Sequence, residues 1–192
     1  AQSAAELAEQ LNVSVRTRTR VAGIDTQKQL VRLEDGETLP YSELVLALGA
    51  ELIRPPIAGD AAEDVIGVND LDDYRRFQEL LAARGAKKVA IIGAGLIGCE
   101  FTNDLLNGGF TVEAVDPMGW CLPTLLPEQS GRAVQEALEE KGAIFHFGPL
   151  ATEVNRSGEG YVVSLNDGST IEAHAVLCAV GVRPRTGLAS DA

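Results

Sequence analysis

Apolar residues follow two rhythms along this chain. Short runs such as Val89-Ala90-Ile91-Ile92 and Ala175 to Val180 are apolar and followed by glycine, the pattern of buried strands. Other segments alternate or carry helical spacing. Ala1 to Leu11 predicts a short amphipathic helix, with Leu7 and Leu11 on one face and Ser3 as its cap. Val13-Ser14-Val15 predicts a short strand. Thr17 to Leu33 alternates and turns, Asp35-Gly36 is a hairpin signal, and Thr38-Leu39-Pro40 leads out, so a small antiparallel meander is expected. Leu44 to Leu48 predicts a buried strand ahead of Gly49. Arg54-Pro55-Pro56-Ile57-Ala58-Gly59 admits neither helix nor strand through its prolines and reads as a linker between domains.

Beyond the linker, strands and helices take turns. Asn69-Asp70 caps a helix from Leu71 to Arg84, closed by Gly85. Val89 to Ile92 is a strand, Leu96 to Asn107 a helix, and Phe110 to Val115 a second strand. Met118 to Pro127 is loop, Glu128 to Lys141 helix, and Ala143 to Phe147 the third strand. Alternation resumes at Ala151 to Arg156, Tyr161 to Leu165 and Thr170 to Ala173, with a turn at Asn166-Asp167-Gly168. A buried strand, Ala175 to Val180, then runs into Gly181. The expected fold is α/β, a Rossmann-like unit with three-layer ββα character and an antiparallel β-meander. Both halves carry a meander, an Asp-Gly turn, an apolar run and a glycine, which suggests two domains of one plan, the first incomplete.

The chemistry concentrates in Lys87 to Glu100. Gly93, Gly95 and Gly98 stand in G-x-G-x-x-G spacing between a strand and a helix. In a dinucleotide site the first glycine permits the tight turn, the second lets the backbone approach a pyrophosphate, and the third lets helix and strand pack closely. The phosphates would meet backbone N–H groups of Gly95, Leu96, Ile97 and Gly98 at the helix N-terminus. Asp116, at the end of the next strand, is placed to accept from an adenosine ribose 2′-hydroxyl. Pro117, Met118 and Gly119 follow it with no Lys or Arg for a 2′-phosphate, which favours NAD over NADP.

Composition narrows the classes. The 192 residues carry a formal net charge of −12, which argues against nucleic acid and anionic membranes as partners. No apolar run approaches a membrane span, and no signal peptide opens the chain. The three cysteines, Cys99, Cys121 and Cys178, lie far apart with no C-x-x-C, so they read as structural thiols, and Cys99 as a small helix-packing residue. His146 and His174 have no metal-ligand spacing, and His146 reads as core. Trp120 could cover an adenine or shield the core. The only Met is Met118, and Thr186 to Ala192 trail off after a strong strand; the chain reads as an internal piece of a longer protein.

Three stretches carry a family resemblance: Ala47-Leu48-Gly49 before the linker, Gly93 to Glu100 as G-x-G-x-x-G-x-E, and Gly181-Val182-Arg183-Pro184 after the last strand. Together they are similar to the two-dinucleotide-binding flavoproteins of the pyridine nucleotide-disulphide oxidoreductase superfamily, over essentially all of the chain. The resemblance implies a cytoplasmic flavoenzyme in which NADH reduces FAD and electrons pass singly to rubredoxin or a similar small carrier. It implies a partial FAD-binding domain at 1–59 and an NAD(H)-binding domain at 60–192. It places Glu100 near the nicotinamide, and Val180, Gly181 and Pro184 against NAD. It also places Gly49, Arg54 and Val21 near FAD, whereas Arg183 and Arg185 read as solvated. Leu48 departs from the Thr usual in the family, and the glycine fingerprint and Gly-Asp segment that hold FAD are absent. The piece alone is therefore expected to hold FAD poorly and to be inactive. Three alternatives share this reading: a ferredoxin reductase of an oxygenase system, a disulphide reductase of the same fold, and a non-enzymatic NAD(H)-binding module.

Overall fold

A computed structural model of the chain describes residues 2–83 and 85–192. It divides into two compact units, Ala1–Gly49 with Pro184–Ala192, and Ala50–Arg183.

In the first unit, helix α1 (Ala4–Leu11) opens on a reciprocal cap. Ser3 Oγ accepts from the Glu6 N–H at 3.2 Å, and the Glu6 carboxylate accepts from the Ser3 N–H at 2.6 Å. Strands β1 (Val21–Asp25), β2 (Leu30–Leu33) and β3 (Thr38–Pro40) form the antiparallel meander in the order β1-β2-β3. Gly36, at φ +91°, makes the turn between β2 and β3.

Two expected strands of this unit do not form. Val13 to Val15 is irregular, because the Val13 N–H is spent on Ala8 O at 3.0 Å, closing α1 behind a left-handed Asn12. Leu44 to Leu48 is also irregular, with Leu44 to Ala47 exposed, Val45 at 87%. An apolar run becomes a buried strand only where strands flank it. Here β1, β2 and β3 pair with each other, and among the described residues no strand pairs with 44–48.

The second unit begins at β4 (Ala50–Leu52), which the sequence did not signal. The Pro-rich segment follows and is held against the unit's own meander: Ala58 N–H donates to Thr152 O at 2.9 Å, and Val154 N–H to Ala58 O at 2.8 Å. Then come the two-residue strand β5 (Ile66–Gly67), α2 (Leu71–Ala83), β6 (Lys88–Ile92), α3 (Leu96–Asn107) and β7 (Thr111–Asp116). They are followed by α4 (Glu128–Glu140) and β8 (Ile144–Phe147). Asp70 Oδ1 caps α2 by accepting from the N–H groups of Asp72 and Asp73; Arg84, the expected end of that helix, lies outside the described residues. The second meander is β9 (Ala151–Ser157), β10 (Gly160–Leu165) and β11 (Thr170–Ala173). β12 (Ala175–Cys178) and β13 (Val182–Pro184) follow, and the last turn of helix, α5 (Gly187–Ser190), belongs to the first unit, where a trailing tail was expected.

The parallel sheet runs β5-β12-β6-β7-β8. Its strands are apolar on both faces, as a sheet between two layers requires. Val89 and Ile91 of β6 join Phe77 and Leu81 of α2 and Leu105 of α3 on one face. Their neighbours Ala90 and Ile92 join Val154, Val163 and Ile171 of the meander on the other. That is the three-layer ββα arrangement. No helix among the described residues is long and apolar enough to cross a membrane.

Candidate functional site

The turn from β6 into α3 lies at the C-terminal end of the sheet. Gly93, at φ +110°, donates its N–H to Val115 O at 2.8 Å, and a Cβ there would come within 2.7 Å of Ala179 O. A Cβ at Gly98 would come within 2.0 Å of Gly93 O, so helix and turn pack backbone to backbone. Gly95 differs: a Cβ there would meet nothing within 4 Å. Two glycines are thus required by the protein's own contacts, and the third faces open space. The first intrahelical bond of α3 runs from Cys99 N–H to Gly95 O at 2.9 Å, so the N–H groups of Leu96, Ile97 and Gly98 have no acceptor within the helix. Their partial positive charge suits an anion.

Asp116 ends β7 beside this turn and is 8% exposed. Its Oδ2 accepts from the Ala94 N–H at 2.7 Å and its Oδ1 from the Met118 N–H at 2.8 Å. The carboxylate is thereby fixed, and each oxygen keeps a lone pair for a further donor. Asp116, Gly93 and Gly95 line one cleft of about 280 Å³ with Met118, Thr124 and Val180, and no Lys or Arg belongs to its lining.

The other predicted residues separate. Gly98 packs under the loop, and the Ile97 side chain turns to the sheet core. Leu96 and Glu100 line a different groove, between α3 and α4. Gly181, at φ +111°, accepts from the Ile53 N–H at 3.1 Å, next to the two-stranded ladder of β4 and β13, where Arg183 Nε pairs with Glu51 at 2.6 Å. Arg54 lines a small cavity of about 110 Å³ with Ile53 and Cys178. Val21, Gly49 and Pro184 belong to the first unit: Val21 opens β1, Gly49 at φ +68° accepts from the Arg185 N–H, and Pro184 ends β13. Trp120 packs on α4, where a Cβ at Gly131 would come within 2.2 Å of the indole, and the indole N–H is buried without a partner.

Two clusters escaped the sequence. His146, expected in the core, is half-buried and shares Glu113 with Lys88, at 2.9 and 2.5 Å. Burial raises the Glu113 carboxyl, and the hydrogen bonds from Lys88 and His146 outweigh it, leaving the group below the usual carboxylate range. Strand register could have signalled this, since β6, β7 and β8 lie side by side. The second cluster is a thiol pair. Cys99 and Cys121, remote in sequence, share a buried cluster with Ala94 and Leu138. Cys99 Sγ donates to Ala94 O at 3.3 Å. No spacing in the sequence announces this pair.

The pyridine nucleotide-disulphide oxidoreductase family matches residues 1–192. The rubredoxin-NAD(+) reductase of Alcanivorax borkumensis is 54% identical over 188 residues, 97% of this chain and 48% of that protein. The enzyme of the same name from Acinetobacter baylyi is 42% identical over 194 residues, 98% of this chain and 49% of that one. The chain thus spans about half the length of the curated relatives it matches. Among solved structures, the ferredoxin reductase for the CYP199A2 system of Rhodopseudomonas palustris superposes with a TM-score of 0.86 at 26% identity, over 96% of this chain and 45% of that one.

Proposed function

Because this chain belongs to the pyridine nucleotide-disulphide oxidoreductase family, we propose that it is the NAD(H)-binding part of an NADH-dependent flavoprotein reductase, joined to a piece of the FAD-binding domain. One observation carries the nucleotide assignment. The space over Gly95 is open, the unpaired N–H groups of α3 begin there, and the fixed carboxylate of Asp116 lines the same cleft.

The redox chemistry belongs to the cofactors: a nicotinamide supplies a hydride, and a flavin can return its electrons one at a time. This chain's residues bind and orient. Leu96, Ile97 and Gly98 hold the diphosphate through backbone N–H groups. Asp116 accepts from the adenosine ribose, and Met118, with no cation beside it, leaves a 2′-phosphate without a partner. Val180 shapes the wall of that cleft, with Gly181 next to it in the chain. Residues 1–59 are assigned to the FAD-binding domain and 60–192 to the NAD(H)-binding domain. Val21, Gly49 and Arg54 are assigned to the FAD side, and the rest of the flavin site to the remainder of the longer protein. The acceptor is rubredoxin or a similar small one-electron carrier, supported by the names of the relatives from Alcanivorax borkumensis and Acinetobacter baylyi.

Binding is read from the fluorescence of the reduced nicotinamide itself. Titration with NADH and NADPH is expected to show tighter binding of NADH; equal or tighter binding of NADPH would overturn the role given to Asp116. The acceptor is tested by turnover of the whole protein with rubredoxin and with ferredoxin. Faster reduction of ferredoxin would favour the second reading, an oxygenase-system reductase, which the likeness to the Rhodopseudomonas palustris structure keeps open.

A further inference from the structure

The groove between α3 and α4 holds about 520 Å³ and is lined mainly by apolar side chains, Leu96, Leu122, Val134 and Leu138 among them. One wall is Cys99, a residue that is 6% exposed and stands fourth in α3. That position lies in the positive end of the helix, which favours a thiolate. Its partner, Cys121, is fully buried and does not line the groove. One thiol is therefore reachable from outside, and the other stands behind it.

We propose that Cys99 and Cys121 form a peroxide-sensitive disulfide, with Cys99 as the attacking thiol and Cys121 as the resolving one. The Cys99 thiolate attacks one oxygen of hydrogen peroxide; the O–O bond breaks, and Cys99 becomes a sulfenic acid as the first water leaves. The Cys121 sulfur then attacks the Cys99 sulfur, the S–O bond breaks and a second water leaves. The two sulfurs close to about 2.05 Å. Two thiols have lost two electrons and two protons, and one peroxide has become two waters. The thiols suit these roles. The neighbouring Cys121 holds the Cys99 thiol down, whereas the nearness of Cys99 and burial push Cys121 up.

The pair bears on the glycine loop through Ala94. Ala94 O accepts from Cys99 Sγ at 3.3 Å and from the N–H of Leu122, the residue after Cys121, at 2.9 Å. The Ala94 N–H is held by Asp116 at 2.7 Å. A disulfide removes the thiol donor from Ala94 O and draws Cys121 toward α3. If the cleft binds NADH, as proposed above, oxidation weakens that binding, by about fivefold to tenfold for one lost hydrogen bond.

The test uses the reduced full chain. Peroxide is added, thiols are counted after denaturation, and peptides are mapped by mass spectrometry. The three free thiols are expected to fall to one, Cys178, with Cys99 joined to Cys121 and a mass loss of about 2 Da. In Cys121→Ser, Cys99 should stop at a sulfenic acid that dimedone captures. Three surviving thiols, a link through Cys178, or no dimedone adduct in Cys121→Ser would overturn the assignment. The thiol count on the unsubstituted chain stands even if that variant fails to fold. A disulfide that forms without changing NADH affinity overturns only the coupling to the loop. Failure of the reduced chain to bind NADH sinks the nucleotide reading and leaves the thiol result legible.

Discussion

The Asp116 carboxylate and the Ala94 N–H meet at 2.7 Å, so the end of β7 is bonded to the turn between β6 and α3. The strands' parallel register, with Ile92 beside Val115, brings the two together. The acid therefore shapes the loop as well as facing the cleft. Asp116→Asn has only one acceptor oxygen for the N–H groups of Ala94 and Met118. It should weaken NADH binding roughly tenfold and cost about 1–2 kcal/mol of stability. Fluorescence titration and thermal unfolding measure the two effects separately.

The three glycines should come apart under substitution. Gly95→Ala places its methyl in open space at an ordinary φ of −75°. It should leave the melting temperature almost unchanged and weaken NADH more than tenfold, because the methyl takes the space that the diphosphate needs. Gly98→Ala drives a methyl against Gly93 O and should cost several kcal/mol, visible in denaturant unfolding with no ligand present.

Acid should loosen the sheet through Glu113, whose pKa in the folded chain is depressed. A group with a lower pKa in the folded state favours folding above its unfolded value, about 4.3, and that contribution is lost as pH falls through the folded value. Glu113→Gln should lower stability by about 1–2 kcal/mol at pH 7 and flatten the acid limb below about pH 4. Chemical denaturation from pH 3 to pH 7 would reveal it; an unchanged limb would remove Glu113 from the account.

Val45→Asp should be silent. The side chain is 87% exposed in an irregular segment, so stability should change by less than about 0.5 kcal/mol. A large loss in thermal unfolding would mean that the apolar run is buried after all.

What the sequence made legible was local. Each strand–turn–helix of the second unit closes on itself, so Val89 to Asn107 could be read residue by residue, glycines included. Failure came where neighbours decide. Leu44 to Leu48 has the composition of a sheet's centre and, among the described residues, no strands beside it, whereas β5 is a strand of two residues only because β12 runs next to it. The nucleotide cleft was half legible: Gly95 and Asp116 were named, but the bond between Asp116 and Ala94 depends on register. The meeting of Cys99 with Cys121 depends on how a loop folds back under a helix, which no spacing encodes.

The chain crosses between its compact units after Gly49 and again after Arg183. Ala50–Arg183 is thus one uninterrupted stretch that holds the parallel sheet, its helices and the cleft, whereas the other unit is stitched from two ends of the sequence. A gene for the first stretch needs only a new start and stop, and its product should fold and keep the nucleotide loop. The remainder could be made as a single piece only by joining Gly49 to Pro184 through a short artificial connector.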